Sequence, residues 1–181
     1  MTSELHVFII WEKGRYLSDE IIADIRSHFT IKQVYNQSWP REKFSACLAK
    51  FYGKNLPKGI RKEKECGNGD FLVIVAEDKH PRHLQGLNIR MCQAKVKYRS
   101  WLNGNLIHAS DNAQEGIENL EFLLGCKAAD FKRENPENWN GKIVNRQADP
   151  CAGGSTLAWR SILLNRLNQM GRQLLQNLNL W

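Results

Sequence analysis

A single histidine, His108, stands immediately before a sequence that is typical of a helix start. The surrounding stretch, residues 105–124, reads NLIHASDNAQEGIENLEFLL. The first backbone N–H groups of a helix lack intrahelical partners, and the helix dipole favours negative charge at that end. Imidazole is nucleophilic near neutral pH, and a phosphorylated imidazole nitrogen is a good leaving group. This combination predicts chemistry on a phosphate group.

The helix after the histidine should begin at Ser110 or Asp111, because both residue types cap helices. Gln114 follows Asp111 by three residues, and Gly125 stands where a C-terminal glycine is expected. The predicted buried stripe of this helix consists of Ala113, Ile117, Leu120 and Leu124. Capping alone explains Ser110 and Asp111 without any chemistry, so that structural interpretation stays open beside a phosphate-handling role.

The composition predicts one globular domain with a phosphate-rich partner. The 181-residue chain has 42% hydrophobic residues and a formal net charge of +7. Such a field attracts nucleotides, nucleic acid or lipid headgroups without choosing among them. The N-terminus has no basic region followed by a long apolar stretch, and no apolar run reaches the length that spans a membrane. We therefore expect a cytoplasmic protein.

The five cysteines are odd in number and far apart, and none has a CxxC or a Cys/His metal spacing. They are Cys47, Cys66, Cys92, Cys126 and Cys151. This pattern predicts neither a disulfide framework nor a zinc site, and it favours reduced thiols.

Three apolar runs predict strands over residues 5–11, 31–35 and 71–76. The last run, FLVIVA, is unbroken and should lie at the centre of a sheet. We interpret residues 89–98 as a further strand, because apolar residues alternate with lysines there.

Two helices are predicted among these strands, one capped by Ser18 and one that follows Pro40. The apolar stripe of the second consists of Phe44, Leu48 and Phe51. Residues 50–64 are basic and interrupted by proline and glycine, which predicts an exposed loop or short helix. This segment is either a solvated face or an anion-binding loop.

The composition changes after Gly125, and we place the end of the main domain, residues 1–128, shortly beyond it. Residues 129–181 are predicted to hold an irregular polar connection and an amphipathic C-terminal helix that starts near Ser155. The apolar stripe of that helix consists of Leu163, Leu167, Met170, Leu174 and Leu178. The stripe must be buried against this domain or another copy, so a homo-oligomer is a possible partner arrangement.

The segment NLIHASD resembles the active-site segment of nucleoside diphosphate kinases. The family pattern is Asn, two apolar or variable residues, His, a small residue, Ser and Asp, leading into a helix. HVFIIWEKG is similar to the family's first strand and the turn after it, and GNGDFLVIV to the strand that follows its nucleotide-clamping helices. The resemblance covers about residues 5–125. It implies an α/β (α+β) fold, the ferredoxin-like βαββαβ sandwich with an antiparallel sheet, extended here by the C-terminal helix.

The resemblance implies a phosphotransferase in which His108 takes a phosphoryl group from a nucleoside triphosphate. Phosphorylated His108 would pass the group to a nucleotide or another anionic acceptor. Asn105 would contact the sugar hydroxyl and the phosphate end of the nucleotide, and Ser110 would form a hydrogen bond near the histidine and its supporting carboxylate. The family also uses Mg²⁺ on the phosphates, which would spread the developing charge. No metal site formed by protein side chains is predicted.

The sequence departs from the family pattern at three positions. Trp11 stands where the family has a phosphate-binding lysine, with Lys13 close by. Asn119, flanked by Glu118, replaces the glutamate that orients the histidine ring, and Lys58 stands where an aromatic residue stacks on the base. The candidates for the remaining phosphate contacts are Arg82, Arg90, Lys95 and Arg99.

Two alternatives to the phosphotransferase stay open. In the first, a degenerate site binds a nucleotide or phosphate without turnover, as the changes at Trp11 and Asn119 would suggest. In the second, the basic loop of residues 50–64 and the C-terminal helix bind nucleic acid or a partner protein. The sequence has no recognisable nucleic-acid module of interleaved basic and aromatic residues, so we rank this alternative last.

Overall fold

The computed structural model describes residues 3–53, 56 and 59–151. Its strands are β1 (Glu4–Ile10), β2 (Thr30–Ser38), β3 (Phe71–Asp78), β4 (His83–Leu84), β5 (Leu87–Asn88), β6 (Ile107–Ala109) and β7 (Val144–Gln147). Its α-helices are α1 (Ser18–His28), α2 (Phe44–Tyr52), α3 (Ile60–Cys66), α4 (Ile89–Trp101), α5 (Ala113–Leu124) and α6 (Ala128–Glu134). Short 3₁₀ helices cover Glu12–Leu17 and Arg41–Lys43. Lys58 and the helix predicted from Ser155 lie outside the described residues.

Five of these strands form one sheet in the order β6-β1-β3-β2-β7, and β4 and β5 form a separate hairpin. Strand β1 pairs antiparallel with β3 and β6, and β2 pairs antiparallel with β3. This arrangement of β1, α1, β2, β3, α4 and β6 is the ferredoxin-like βαββαβ sandwich, so the predicted fold is confirmed. Strand β7 adds a parallel partner to β2 at the edge.

Both faces of the sheet are covered by helices. Because successive side chains of a strand point to opposite faces, Phe8 and Ile10 pack under α1 and α4, whereas Val7 and Ile9 pack under α2 and α5. Nearly all of β3 is buried, as expected for the middle strand of the sheet. The unbroken apolar run that predicted this strand therefore reflects burial on both faces.

The strand predicted over residues 89–98 is wrong, because this stretch forms helix α4. The side-chain oxygen of Asn88 caps the helix by accepting hydrogen bonds from the backbone N–H groups of Arg90 and Met91. Buried side chains recur at helical spacing, at Met91, Ala94, Lys95 and Tyr98. The alternation with lysines was misleading, because Lys95 is itself buried.

The predicted cap of α5 is also wrong. The residue before the helix is Asn112, whose side chain accepts a hydrogen bond from the backbone N–H of Glu115 at 2.9 Å. Gly125 ends the helix in the left-handed conformation at φ 65°, as predicted. The buried face is Gly116, Asn119, Leu120, Leu123 and Leu124. The predicted stripe was therefore correct only toward the end of the helix.

The stretch predicted as an irregular polar connection contains α6 and β7, and Phe131 of α6 belongs to the core.

The structure also joins Cys47 and Cys151 by a disulfide, with Cα atoms 5.7 Å apart. The expectation of reduced thiols is therefore wrong for this pair. The two cysteines are 104 residues apart, so their spacing in the sequence could not reveal the contact. The domain boundary at residue 128 stays a prediction.

Across the described ranges, no helix is long and apolar enough to cross a membrane.

A buried polar network lies at the start of β1, around His6. The His6 Nδ1 is 2.9 Å from the Ser110 hydroxyl, which also accepts a hydrogen bond from the backbone N–H of Val7. The His6 Nε2 is 3.2 Å from both Glu4 Oε2 and Asn88 Nδ2. Burial lowers the pKa of His6 below its usual value of 6.5, although the hydrogen bond with Glu4 opposes this shift.

The contact between α5 and β1 predicts that Gly116→Ala destabilises the protein. A Cβ atom at Gly116 would overlap the backbone carbonyl oxygen of Leu5. We expect a loss of about 1–3 kcal/mol in the free energy of unfolding, measured by urea denaturation. The matched control is Gly104→Ala, because a Cβ there would meet no atom closer than 3.8 Å. Equal stability of the two variants would contradict the close approach of α5 to β1.

The burial of His6 predicts a pH dependence of stability. Since the pKa of His6 is lowered in the folded protein, the unfolded chain binds a proton below pH 6.5 that the folded chain does not bind. The free energy of unfolding should therefore fall between about pH 7.5 and about pH 5.5, and more steeply than in His6→Asn. Urea denaturation at several pH values measures this. Parallel pH profiles would show that His6 does not titrate in this way.

Candidate functional site

His108 lies on β6, an edge strand of the sheet, opposite Ile9 of β1. Its neighbours Ile107 and Ala109 point into the core under α1 and α4, so the alternation of the strand directs His108 to the opposite face. Only 6% of the His108 surface is exposed. The histidine predicted to precede a helix therefore lies on a short strand before α5, in a buried position.

Helix α5 supplies the polar neighbours of the His108 ring. The Nδ2 atom of Asn119 is 2.8 Å from His108 Nε2, and the Glu115 Oε1 is 3.8 Å from the same nitrogen. The second carboxylate oxygen of Glu115 accepts a hydrogen bond from the backbone N–H of Asp111 at 2.6 Å. Residues 115 and 119 are one turn apart, so both side chains lie on the helix face that meets β6.

The contact with Asn119 has a consequence for the chemistry of the ring. The Asn119 amide presents its N–H to His108 Nε2, an arrangement that matches the neutral tautomer with the proton on Nδ1. A carboxylate in place of the amide would instead accept a hydrogen bond from a protonated Nε2. The Nδ1 lone pair would then be available for attack. The arrangement with Asn119 therefore disfavours a nucleophilic His108.

Aromatic side chains at the end of α2 cover the ring. The ring centroids of Phe51 and Tyr52 lie 5.1 and 5.6 Å from that of His108, both with an edge-on orientation. Phe122 of α5 packs behind Phe51, with centroids 5.6 Å apart. A ligand can reach His108 from this side only if the end of α2 moves. Phe51 and Tyr52 together form an aromatic cover over His108.

The pKa of Tyr52, which is part of this cover, reflects its surroundings. Burial raises the pKa of Tyr52, while Trp11 and the positive charge of Arg99 act in the opposite direction. Glu115 also acts on Tyr52 and raises its pKa. Tyr52 therefore keeps its proton near neutral pH. The charges of Arg99, one of the predicted phosphate contacts, and of Glu115 therefore act on Tyr52 in opposite directions.

Trp11, which the sequence resemblance pairs with a phosphate-binding lysine, is completely buried. Its ring centroid lies 5.0 Å from that of Phe71 and 6.0 Å from that of Trp39. Lys13, the predicted substitute, instead donates to the carbonyl oxygen of Lys64 at 2.7 Å. Position 11 therefore holds an uncharged indole inside an aromatic cluster.

Other predicted site residues serve in contacts away from the ring. Lys95 forms a buried ion pair with Asp111, so each of these two predicted site residues neutralises the charge of the other. Ser110 bonds to His6 and Val7, as described above. Arg90 pairs with Asp78 of β3.

Asn105 and Glu118 occupy more peripheral positions. Asn105 is exposed, and its carbonyl oxygen accepts a hydrogen bond from Lys62. Glu118 accepts a hydrogen bond from Gln114 at 3.0 Å on the surface of α5. The carboxylate beside the histidine is thus that of Glu115 and not that of Glu118.

Sequence reasoning identified Asn119 as the neighbour of the histidine but missed Glu115 and Tyr52. Glu115 could have been found, because it lies four residues before Asn119 and a helix places such a pair on one face. Tyr52 has no such signal. Its contact with His108 depends on how α2 packs against the sheet, which local spacing does not specify.

Comparisons with known proteins give a likeness of fold only. No family model matches the chain, and neither does any curated protein. Among solved structures, a nucleoside diphosphate kinase from Aquifex aeolicus has 16% sequence identity and a TM-score of 0.45, covering 66% of this chain and 93% of that one. The nucleoside diphosphate kinase from Borrelia burgdorferi, solved as a transition-state mimic with vanadate and ADP, has 14% identity and a TM-score of 0.44, covering 77% and 92%. Likeness at this level assigns neither a family nor an activity.

Proposed function

We propose that the His108 site binds a phosphorylated ligand of the nucleoside triphosphate class without sustained phosphoryl transfer. The observation that carries this proposal is the 2.8 Å contact between Asn119 Nδ2 and His108 Nε2. It fixes the imidazole as a hydrogen-bond donor through Nδ1, a form suited to holding a phosphate oxygen. The same contact opposes nucleophilic attack, because the Nδ1 lone pair carries the proton.

Three further features support an anionic ligand. The resemblance of NLIHASD to a phosphate-transferring segment concerns the residues around His108. Arg99 contributes positive charge to the region of Tyr52, and the chain as a whole carries +7. Tyr52 keeps its hydroxyl proton and can donate it to a phosphate oxygen once the aromatic cover opens.

A divalent cation would enter with the ligand. Within the described part of the chain, no group of three or more His, Cys, Asp or Glu side chains is arranged to hold a metal ion. We therefore expect Mg²⁺ to be coordinated mainly by the phosphates, where it would offset their charge.

Phosphoryl transfer is the second candidate, and Glu115 is the observation that favours it. Its carboxylate is 3.8 Å from His108 Nε2 and could accept a proton there if the Asn119 amide turned away. The Nδ1 lone pair would then attack the γ-phosphorus, the bond to the β–γ bridging oxygen would break, and a nucleoside diphosphate would leave. An anionic acceptor would take the phosphoryl group in a second step and restore the imidazole.

Binding and labelling experiments separate the two candidates. Calorimetric titration with Mg²⁺·ATP should show binding, and His108→Ala should weaken it about tenfold. The matched control is His80→Ala, because His80 is an exposed histidine on another loop. Each titration is made once with the Cys47–Cys151 disulfide intact and once after its reduction. Incubation with Mg²⁺·ATP labelled at the γ-phosphate should leave the wild-type protein unlabelled.

Replacement of Asn119 provides the internal control for the labelling. Asn119→Glu supplies a carboxylate to Nε2 and should permit an acid-labile, base-stable label on His108, whereas Asn119→Gln keeps the amide and should not. Absence of nucleotide binding in both redox states would overturn the proposal. A label on wild-type His108 would replace it with the phosphotransferase.

A further inference from the structure

The segment after β7 is attached to helix α2 at Cys47 and to the 3₁₀ helix before α2 at Lys43. Cys151 is joined to Cys47 by the disulfide, and Asp149 accepts an ion-paired hydrogen bond from Lys43 at 2.6 Å. The backbone N–H of Ala148 also donates to the carbonyl oxygen of Ser38 at 3.1 Å, which continues the pairing of β7 with β2. The segment therefore links the edge of the sheet to α2.

The helix that receives this link is the one that covers His108. Cys47 lies in the middle of α2 and is fully buried, and Phe51 follows it by one helical turn. Phe51 and its neighbour Tyr52 contact the His108 ring edge-on. A covalent bond at Cys47 thus restrains the same helix whose end must move to expose the histidine.

We propose that Cys47 and Cys151 form a reversible redox clip that holds the aromatic cover over His108. Oxidation closes the clip and keeps α2 seated on the sheet, whereas reduction releases α2 from the segment after β7 and exposes the histidine. The consequence for ligand access rests on the function proposed above, but the exposure of His108 does not.

The exchange reaction is balanced by an external dithiol or disulfide. A thiolate of a dithiol reductant attacks the more accessible sulfur, Cys151 Sγ, and the Cys151–Cys47 bond breaks to release the Cys47 thiolate, which takes up a proton. The second thiol of the reductant then displaces Cys151 and forms the reductant's own disulfide. Two electrons pass to the protein. In the reverse direction, glutathione disulfide accepts two electrons and leaves as two thiols.

The other cysteines are poorly placed to compete in this exchange. Cys66 and Cys92 are buried, and burial raises the pKa of each thiol to about 12. The pKa of Cys126 is also raised, again mainly by burial. Thiolate exchange at these positions is therefore slow near neutral pH, whereas Cys47 and Cys151 already lie side by side, with Cα atoms 5.7 Å apart.

The accessibility of His108 to diethyl pyrocarbonate tests the clip in the full-length chain without any ligand. The protein is oxidised with glutathione disulfide or reduced, the reagent is removed, and carbethoxylation of each histidine is followed by peptide mass spectrometry. We expect His108 to react at least about threefold faster in the reduced protein, since local opening governs access to a buried group. The exposed residues His28 and His80 should react at the same rate in both states.

Two variants show whether the response belongs to this disulfide. Cys151→Ser, at a half-buried position, should give the fast His108 rate whether or not the oxidant is present. Cys126→Ser should retain the full difference between the two states. Absence of a linked peptide pair containing Cys47 and Cys151 after oxidation, or equal His108 rates in both states, would overturn the proposal. A faster rate on reduction together with no nucleotide binding would leave the clip in place and overturn only the proposed function.

Discussion

The ring of His108 is confined between the amide of Asn119 and the edges of Phe51 and Tyr52, and the rest of the site depends on this contact. Three separate elements meet there, because β6 carries the histidine, α5 carries the amide and α2 carries the aromatic cover. The amide determines which nitrogen bears the proton, and the aromatic rings determine whether a ligand can approach. The proton position and the accessibility of the ring are therefore controlled by a hydrogen bond and by the packing of one helix.

The aromatic cluster around Trp11 packs helix α2 against the sheet. The buried indole contacts Phe44, Phe51 and Tyr52 of α2, and it also contacts Phe71 of β3. Lys13 and Lys95 have partners within the protein, since Lys13 binds a backbone carbonyl and Lys95 binds Asp111. Positive charge reaches the region through Arg99 on α4.

Local sequence signals predicted the parts of the fold that local physics determines. The apolar run of β3 and the glycine at position 125 were interpreted correctly, because burial on both faces and a left-handed helix end each impose a particular composition. Helix α4 was missed because Lys95 fits a solvent-facing position of an alternating strand, whereas it lies on the buried face of the helix. The Cys47–Cys151 disulfide and the contact of Tyr52 with the histidine join residues far apart in sequence, and no spacing rule identifies such pairs.

The protonation state of the His108 ring is the most direct test of this account. Long-range ¹H–¹⁵N correlation spectra of the ¹⁵N-labelled protein, with the histidine assigned through His108→Gln, report which imidazole nitrogen carries the proton near neutral pH. We predict the tautomer protonated on Nδ1, with Nε2 accepting the hydrogen bond from Asn119. A ring protonated on Nε2 would contradict the account, because a carboxylate or carbonyl oxygen would then be its partner and Nδ1 would be available as a nucleophile.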